Sequence, residues 1–130
     1  MDSEIAAALR RYFDEHAPEI AAAYLFGSTA RGTAGPDSDV DVAVLPAHPT
    51  TGTLESIHLD IEDAIERLLG RPVQVVALHL APVDLVHRVL RDGVLVCDRD
   101  RSKRIAFEVR ARNDYFDLLP ILDRYRRRAS

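Results

Sequence analysis

The stretch from residue 25 to residue 45, LFGSTARGTAGPDSDVDVAVL, holds side chains that suit one chemistry. A short apolar run stops at Gly27-Ser28, and ten residues further on Asp39 and Asp41 flank Val40 at the head of a second apolar run. Side chains at i and i+2 of a strand share a face, so the two carboxylates are expected to project together beside the Gly-Ser turn. Close carboxylates repel unless a cation lies between them. Mg²⁺ takes hard oxygen ligands, often one or two carboxylates completed by substrate phosphates. Gly27 lets the backbone approach a phosphate, and Ser28 with neighbouring N–H groups can bind its oxygens. Arg31 in the same loop is either a further phosphate contact or an exposed loop side chain. Such a set serves metal-assisted nucleotidyl transfer. An Asp-x-Asp pair by itself more often marks a strand entrance, so the complete string carries the reading.

The flanking sequence supplies the elements to hold that stretch. Residues 3–16 carry Ile5, Ala8, Leu9, Tyr12 and Phe13 at helical spacing, with Ser3 as N-cap. Residues 21–26 read as a buried strand, 27–38 as a loop and 39–45 as a second strand. A helix over 53–69 (Leu54, Ile57, Ile61, Ile65, Leu68, Leu69) closes at Gly70 and Pro72. Residues 73–78 form a third strand. Residues 82–92 form a short helix ended by Gly93, and 94–97 a fourth strand. Residues 101–128 are helical again, with Pro120 expected to start a new helix or kink the old one. The order predicts an α/β (α+β) chain with a small mixed sheet flanked by helices and a C-terminal helical segment.

Length and composition bound the rest. A chain of 130 residues fits one domain, with a core over about 1–98 and a basic helical segment over about 99–130. Residues 1–98 hold sixteen acidic and seven basic side chains, and residues 99–130 hold five acidic and ten basic ones. The net charge of −4 excludes a wholly basic nucleic-acid coat. Lys103 is the one lysine among 17 basic residues, which reflects either a GC-rich genome or a selected Arg-rich surface. Cys97, the single cysteine, excludes an internal disulfide and a Cys-rich zinc site. No apolar run is long enough to span a bilayer, and the Met-Asp-Ser-Glu start is acidic where a signal peptide is basic. A cytoplasmic protein is expected. The five histidines lack metal-ligand spacing, and Ser28 lacks a Gly-x-Ser-x-Gly context for hydrolysis. The C-terminal apolar and aromatic stripe, from Phe107 to Tyr125, is expected mostly to pack on the sheet.

Gly-Ser, ten residues and Asp-x-Asp between two strands resembles the signature of the polymerase-beta-like nucleotidyltransferase superfamily. More narrowly, the chain resembles the minimal nucleotidyltransferase antitoxins that pair with HEPN-domain ribonuclease toxins. The likeness includes Ala30-Arg31-Gly32 and Ser38, the stretch RPVQVVALHLAPVDLVHRVLRDGVLVCDRD, and Phe107 with DYFDLLPILDRYR over 114–126. It implies the nucleotidyltransferase fold, with Gly27, Ser28 and Arg31 on the triphosphate of ATP. It implies that Asp39 and Asp41 are catalytic and ligate Mg²⁺ or Mn²⁺. The implied reaction moves AMP to a hydroxyl, a Tyr, of the cognate HEPN toxin. The implied assembly is a hetero-oligomer with that toxin, without a membrane and without strong direct nucleic-acid binding. A small-molecule or RNA acceptor is less favoured, because 130 residues leave little room for an acceptor domain.

One departure matters. Superfamily members usually carry a third carboxylate on the next strand, and here that position is Gln74, with Ala77 at the other site that is often acidic. A neutral Gln carbonyl is a weaker ligand than a carboxylate. A second expectation therefore stands beside the first: nucleotide binding with slow or absent transfer, and neutralisation of the toxin by contact. Asp60, Glu62 and Asp84 are either substitutes for the missing acid or members of solvated helix faces.

Overall fold

The computed structural model describes residues 2–30, 32, 35, 38–48 and 54–129. Ser3 as a cap, the side chains of Leu54 and Ile57, and Gly52 fall outside what is described. The elements run α1 (Asp2–His16), β1 (Ile20–Phe26), β2 (Val40–Pro46), α2 (Leu54–Leu69), β3 (Val73–Ala77), a 3₁₀ turn (Leu78–Leu80), α3 (Val83–Asp92), β4 (Val94–Asp98) and α4 (Arg101–Ala129). Apart from the 3₁₀ turn, this is the predicted order, with boundaries moved by a residue or two. The sheet order is β3-β2-β1-β4. β1 is antiparallel to β2 and β4, and β2 is parallel to β3.

β1 reads IAAAYLF because it is an inner strand covered on both faces, and its first six residues are buried. Ile20, Ala23 and Leu25 join Val40, Val42, Val44, Val73, Val75 and Val96 on one face of the sheet. Leu9 and Phe13 of α1 and Ile61 and Ile65 of α2 close over that face, each pair at helical spacing. Ala22, Tyr24, Ala43 and Leu45 line the other face beneath Val86 and Val89 of α3 and Ala111 of α4.

β3 is an edge strand, and α2 caps it. Glu66 Oε1 accepts the Val73 N–H (3.1 Å) and Glu62 Oε2 accepts the Val75 N–H (3.2 Å). Unpaired edge donors invite pairing with another chain, and these two carboxylates occupy them. Glu62 is thus neither a solvated helix residue nor a free acid.

α4 is a single helix through Pro120, so no new helix starts there. Pro120 withholds one N–H, which denies the Phe116 carbonyl its usual partner, and the flanking bonds carry the helix across. At 29 residues α4 is about 43 Å long, against about 23 Å for seven-residue β1. Only its first half can therefore pack on the sheet. Phe107 and Ala111 do so, and the Tyr115 ring stacks on His87 with centroids 3.5 Å apart. Phe116, Ile121 and Tyr125 are exposed, which corrects the expectation that the stripe is mostly core.

Several basic residues of the C-terminal segment are structural. Arg99 Nη2 donates to the Phe13 carbonyl (2.5 Å), and Lys103 Nζ donates to the Ala47 carbonyl. Arg104 donates to Asp98 (2.7 Å) and to Glu108 (3.0 Å). The Glu108 carboxylate also accepts the buried Tyr24 hydroxyl at 2.9 Å, which fastens α4 to β1. Burial, followed by the Glu108 carboxylate beside it, pushes the Tyr24 phenol far above its ordinary value of 10.0. A folded pKa above the unfolded one contributes stability below pH 10 that is lost as pH rises through the folded value. Tyr24→Phe is expected to cost about 1.5–3 kcal/mol at neutral pH, since the hydroxyl bonds a charged group. The variant should also lose less stability than the wild type above pH 10. Urea denaturation at a series of alkaline pH values checks this, and equal slopes for the two proteins would count against it.

Candidate functional site

The end of β1 and the starts of β2 and β3 meet on the face shared with Tyr24 and Ala43. Asp41 pairs with Phe26 across the antiparallel ladder and with Gln74 across the parallel one. Paired residues share a face, so Asp41 and Gln74 are lateral neighbours there. Val40 is buried on the opposite face and its N–H donates to the Pro72 carbonyl (2.9 Å). The backbone is thus already extended at Val40, and alternation puts Asp39 on Asp41's side. The strand itself begins at Val40, one residue later than expected, and Asp39 stands exposed at its mouth. Asp41 is half-buried.

Gly27 lies against Asp41. Its φ is +76°, and a Cβ built there would overlap Oδ2 of Asp41. The bare backbone therefore lets the β1 turn close onto the carboxylate, which no side chain permits. Ser28 follows, half-buried. Thr29 is fully buried, and its Oγ1 donates to the Asp39 carbonyl at 3.5 Å, the long limit for such a bond. Sequence reading passed over Thr29; a Thr after Gly-Ser carries no chemical signal of its own. Arg31 lies outside the described residues.

Sequence reading also missed Arg71. Its guanidinium donates to the Ser38 carbonyl from Nε (3.2 Å) and Nη2 (2.7 Å), and to the Gly35 carbonyl from Nη2 (3.0 Å). The Gly70-Arg71-Pro72 turn read only as a helix stop, although the Arg within it was a visible hint.

The remaining acids lie elsewhere. Asp60 lines a groove of about 670 Å³ between α1 and α2, on the far side of the sheet from Asp41. Glu62 is occupied by the β3 edge. Asp84 is exposed in the first turn of α3. Ala77 pairs with Val44, which places it on the opposite face from Gln74. An acid at position 77 would point away from Asp41. Among the described residues, no group of three or more His, Cys, Asp or Glu is placed to hold a metal ion. Two carboxylates beside a glycine cradle still fit Mg²⁺, provided that substrate phosphates complete the shell. Cys97 is buried, and burial raises its thiol pKa, so it serves packing.

The model of the polymerase beta nucleotidyltransferase family matches residues 7–102. The chain belongs to this family. The match spans the sheet from β1 to β4 and includes the whole Gly27–Asp41 stretch. Among solved structures, this nucleotidyltransferase is similar to a chain of a toxin–antitoxin complex with AMP-PNP. The TM-score is 0.72 and the identity 23%, over 91% of this chain and 95% of that one. It is also similar to a chain of a complex between the tri-AMPylated Shewanella oneidensis HEPN toxin and MNT antitoxin, at TM-score 0.68 and 20% identity, covering 95% of this chain and 97% of that one. A candidate minimal nucleotidyltransferase aligns at TM-score 0.53 and 30% identity, over 71% of this chain and 88% of that one. No curated protein sequence matches the nucleotidyltransferase. Its fold is the mixed four-stranded sheet with four helices and a long C-terminal helix. No helix among its described residues is long and apolar enough to cross a membrane.

Proposed function

We propose that residues 1–130 act as one minimal nucleotidyltransferase domain, an antitoxin that transfers AMP from Mg-ATP to a Tyr hydroxyl of a cognate HEPN ribonuclease toxin. The observation that carries this reading is Asp41, with Asp39 two residues before it, closed upon by Gly27 in a fold shared with MNT antitoxins. A neighbouring fold solved with AMP-PNP and another in complex with a tri-AMPylated toxin support the donor and the product. Gly27, Ser28 and Arg31 would take the triphosphate; Asp39 and Asp41 would hold Mg²⁺ or Mn²⁺. The bound metal supplies neutralisation of the triphosphate charge. The acceptor oxygen attacks the α-phosphorus, the bond to the bridging oxygen of the β-phosphate breaks, pyrophosphate leaves, and the hydroxyl proton passes to a base. Asp39 and Gln74 are exposed, so a protein acceptor has an open approach. The cytoplasm, where ATP and ribonuclease substrates meet, is the expected compartment.

Gln74 opposite Asp41 favours a second reading, in which transfer is slow and the toxin is silenced by contact. Intact-mass measurement separates the two. With the HEPN partner, Mg²⁺ and ATP, the first reading expects one or more AMP units on the partner, lost in Asp39→Asn. A stable, silent complex without any mass gain would support the second reading instead.

A further inference from the structure

We infer that Arg71 is a positioning residue that sets the metal-binding geometry of Asp39 by clamping the loop in front of it. The inference rests on the metal–nucleotide reading of the site. The three bonds from Arg71 end on the Ser38 and Gly35 carbonyls, one and four residues before Asp39. Gly35 and Ser38 are also bonded to each other. The Gly35 N–H donates to Ser38 Oγ (2.9 Å) and the Ser38 N–H to the Gly35 carbonyl (3.2 Å). On the other side of Asp39, the Val40 N–H is held by the Pro72 carbonyl (2.9 Å). Asp39 is thus held before and after by two consecutive residues of the α2–β3 turn.

That turn is itself rigid. Gly70 sits at φ +66° and its N–H donates to the Glu66 carbonyl (2.8 Å), while Glu66 Oε1 caps the Val73 N–H. The last turn of α2 therefore sets where the guanidinium lies, and the guanidinium sets where the Asp39 carboxylate starts. A guanidinium suits this task because its planar fork reaches two carbonyls at once. A Lys ammonium is a point donor on a flexible stem. Asp39 is exposed and sits outside the strand ladder, so without the clamp the loop side of Asp39 would lose its hold, leaving the Val40–Pro72 bond behind it and the long Thr29 bond.

The test is AMP-PNP binding to the full chain, titrated once with excess Mn²⁺ and once in EDTA. The variants are Arg71→Ala, Arg71→Lys and Asp39→Asn. Arg71→Ala is expected to weaken Mn²⁺-dependent binding about tenfold, within the range for groups orienting a metal ligand. Metal-free binding, which draws on the Gly27-Ser28 turn, should stay within about twofold, as expected of a site not coupled to the change. Arg71→Lys should recover part of the loss. A merely structural Arg71 would weaken both arms together, and that result overturns the positioning role. So does wild-type affinity in Arg71→Ala when Asp39→Asn is impaired. Absence of wild-type binding in both arms, or an Asp39→Asn variant that binds as wild type, overturns the metal–nucleotide reading itself and the positioning role with it.

Discussion

Gly27→Ala is expected to weaken Mn²⁺·AMP-PNP binding about 10- to 100-fold, the range for displacing a group that orients a metal ligand. The argument is steric. A methyl group at position 27 would meet Oδ2 of Asp41, and the carboxylate must swing aside or the turn must open. Either movement separates the Gly27-Ser28 turn from Asp41, the proposed phosphate-binding turn from the proposed metal ligand. The positive φ adds backbone strain of roughly 1–2 kcal/mol, which lowers stability as well. The two effects are separable. Urea denaturation reads the strain, and titration of the still-folded protein reads the site. A folded Gly27→Ala protein with wild-type affinity would show that closure of the turn on Asp41 has no part in binding.

Gln74→Asp is expected to raise the AMP transfer rate by about 10²-fold or more, the contribution typical of a placed general base. Position 74 lies directly opposite Asp41 in the parallel ladder and on the same face. An acid there would join Asp39 and Asp41 at the attacking hydroxyl, as a metal ligand or as its proton acceptor. Gln74→Asn keeps the neutral amide and should give no gain. Ala77→Asp should give none either, because residue 77 faces the other side of the sheet. A gain confined to Gln74→Asp would identify the missing carboxylate as the lesion. Unchanged transfer in that variant, with nucleotide binding intact, would remove this explanation of slow catalysis.

Much of the molecule was legible in its sequence, for local reasons. The IAAAYLF run is apolar because β1 is covered on both faces, and Gly70-Arg71-Pro72 stops α2 because it cannot continue a helix. The Gly27-Ser28 and Asp39/Asp41 pattern was visible because strand alternation puts i and i+2 on one side. Only the tertiary structure decided the rest. Register showed that Gln74, not Ala77, neighbours Asp41, since a ladder partner is set by pairing and not by distance along the chain. Packing assigned Glu62 and Glu66 to the β3 edge, and Tyr24 and Arg104 to a polar link between β1 and α4. The loop clamp by Arg71 joins residues more than thirty positions apart. The Arg71, Glu62 and Glu66 contacts leave no periodic trace in the chain, because each is one side chain meeting a backbone group that any residue could supply.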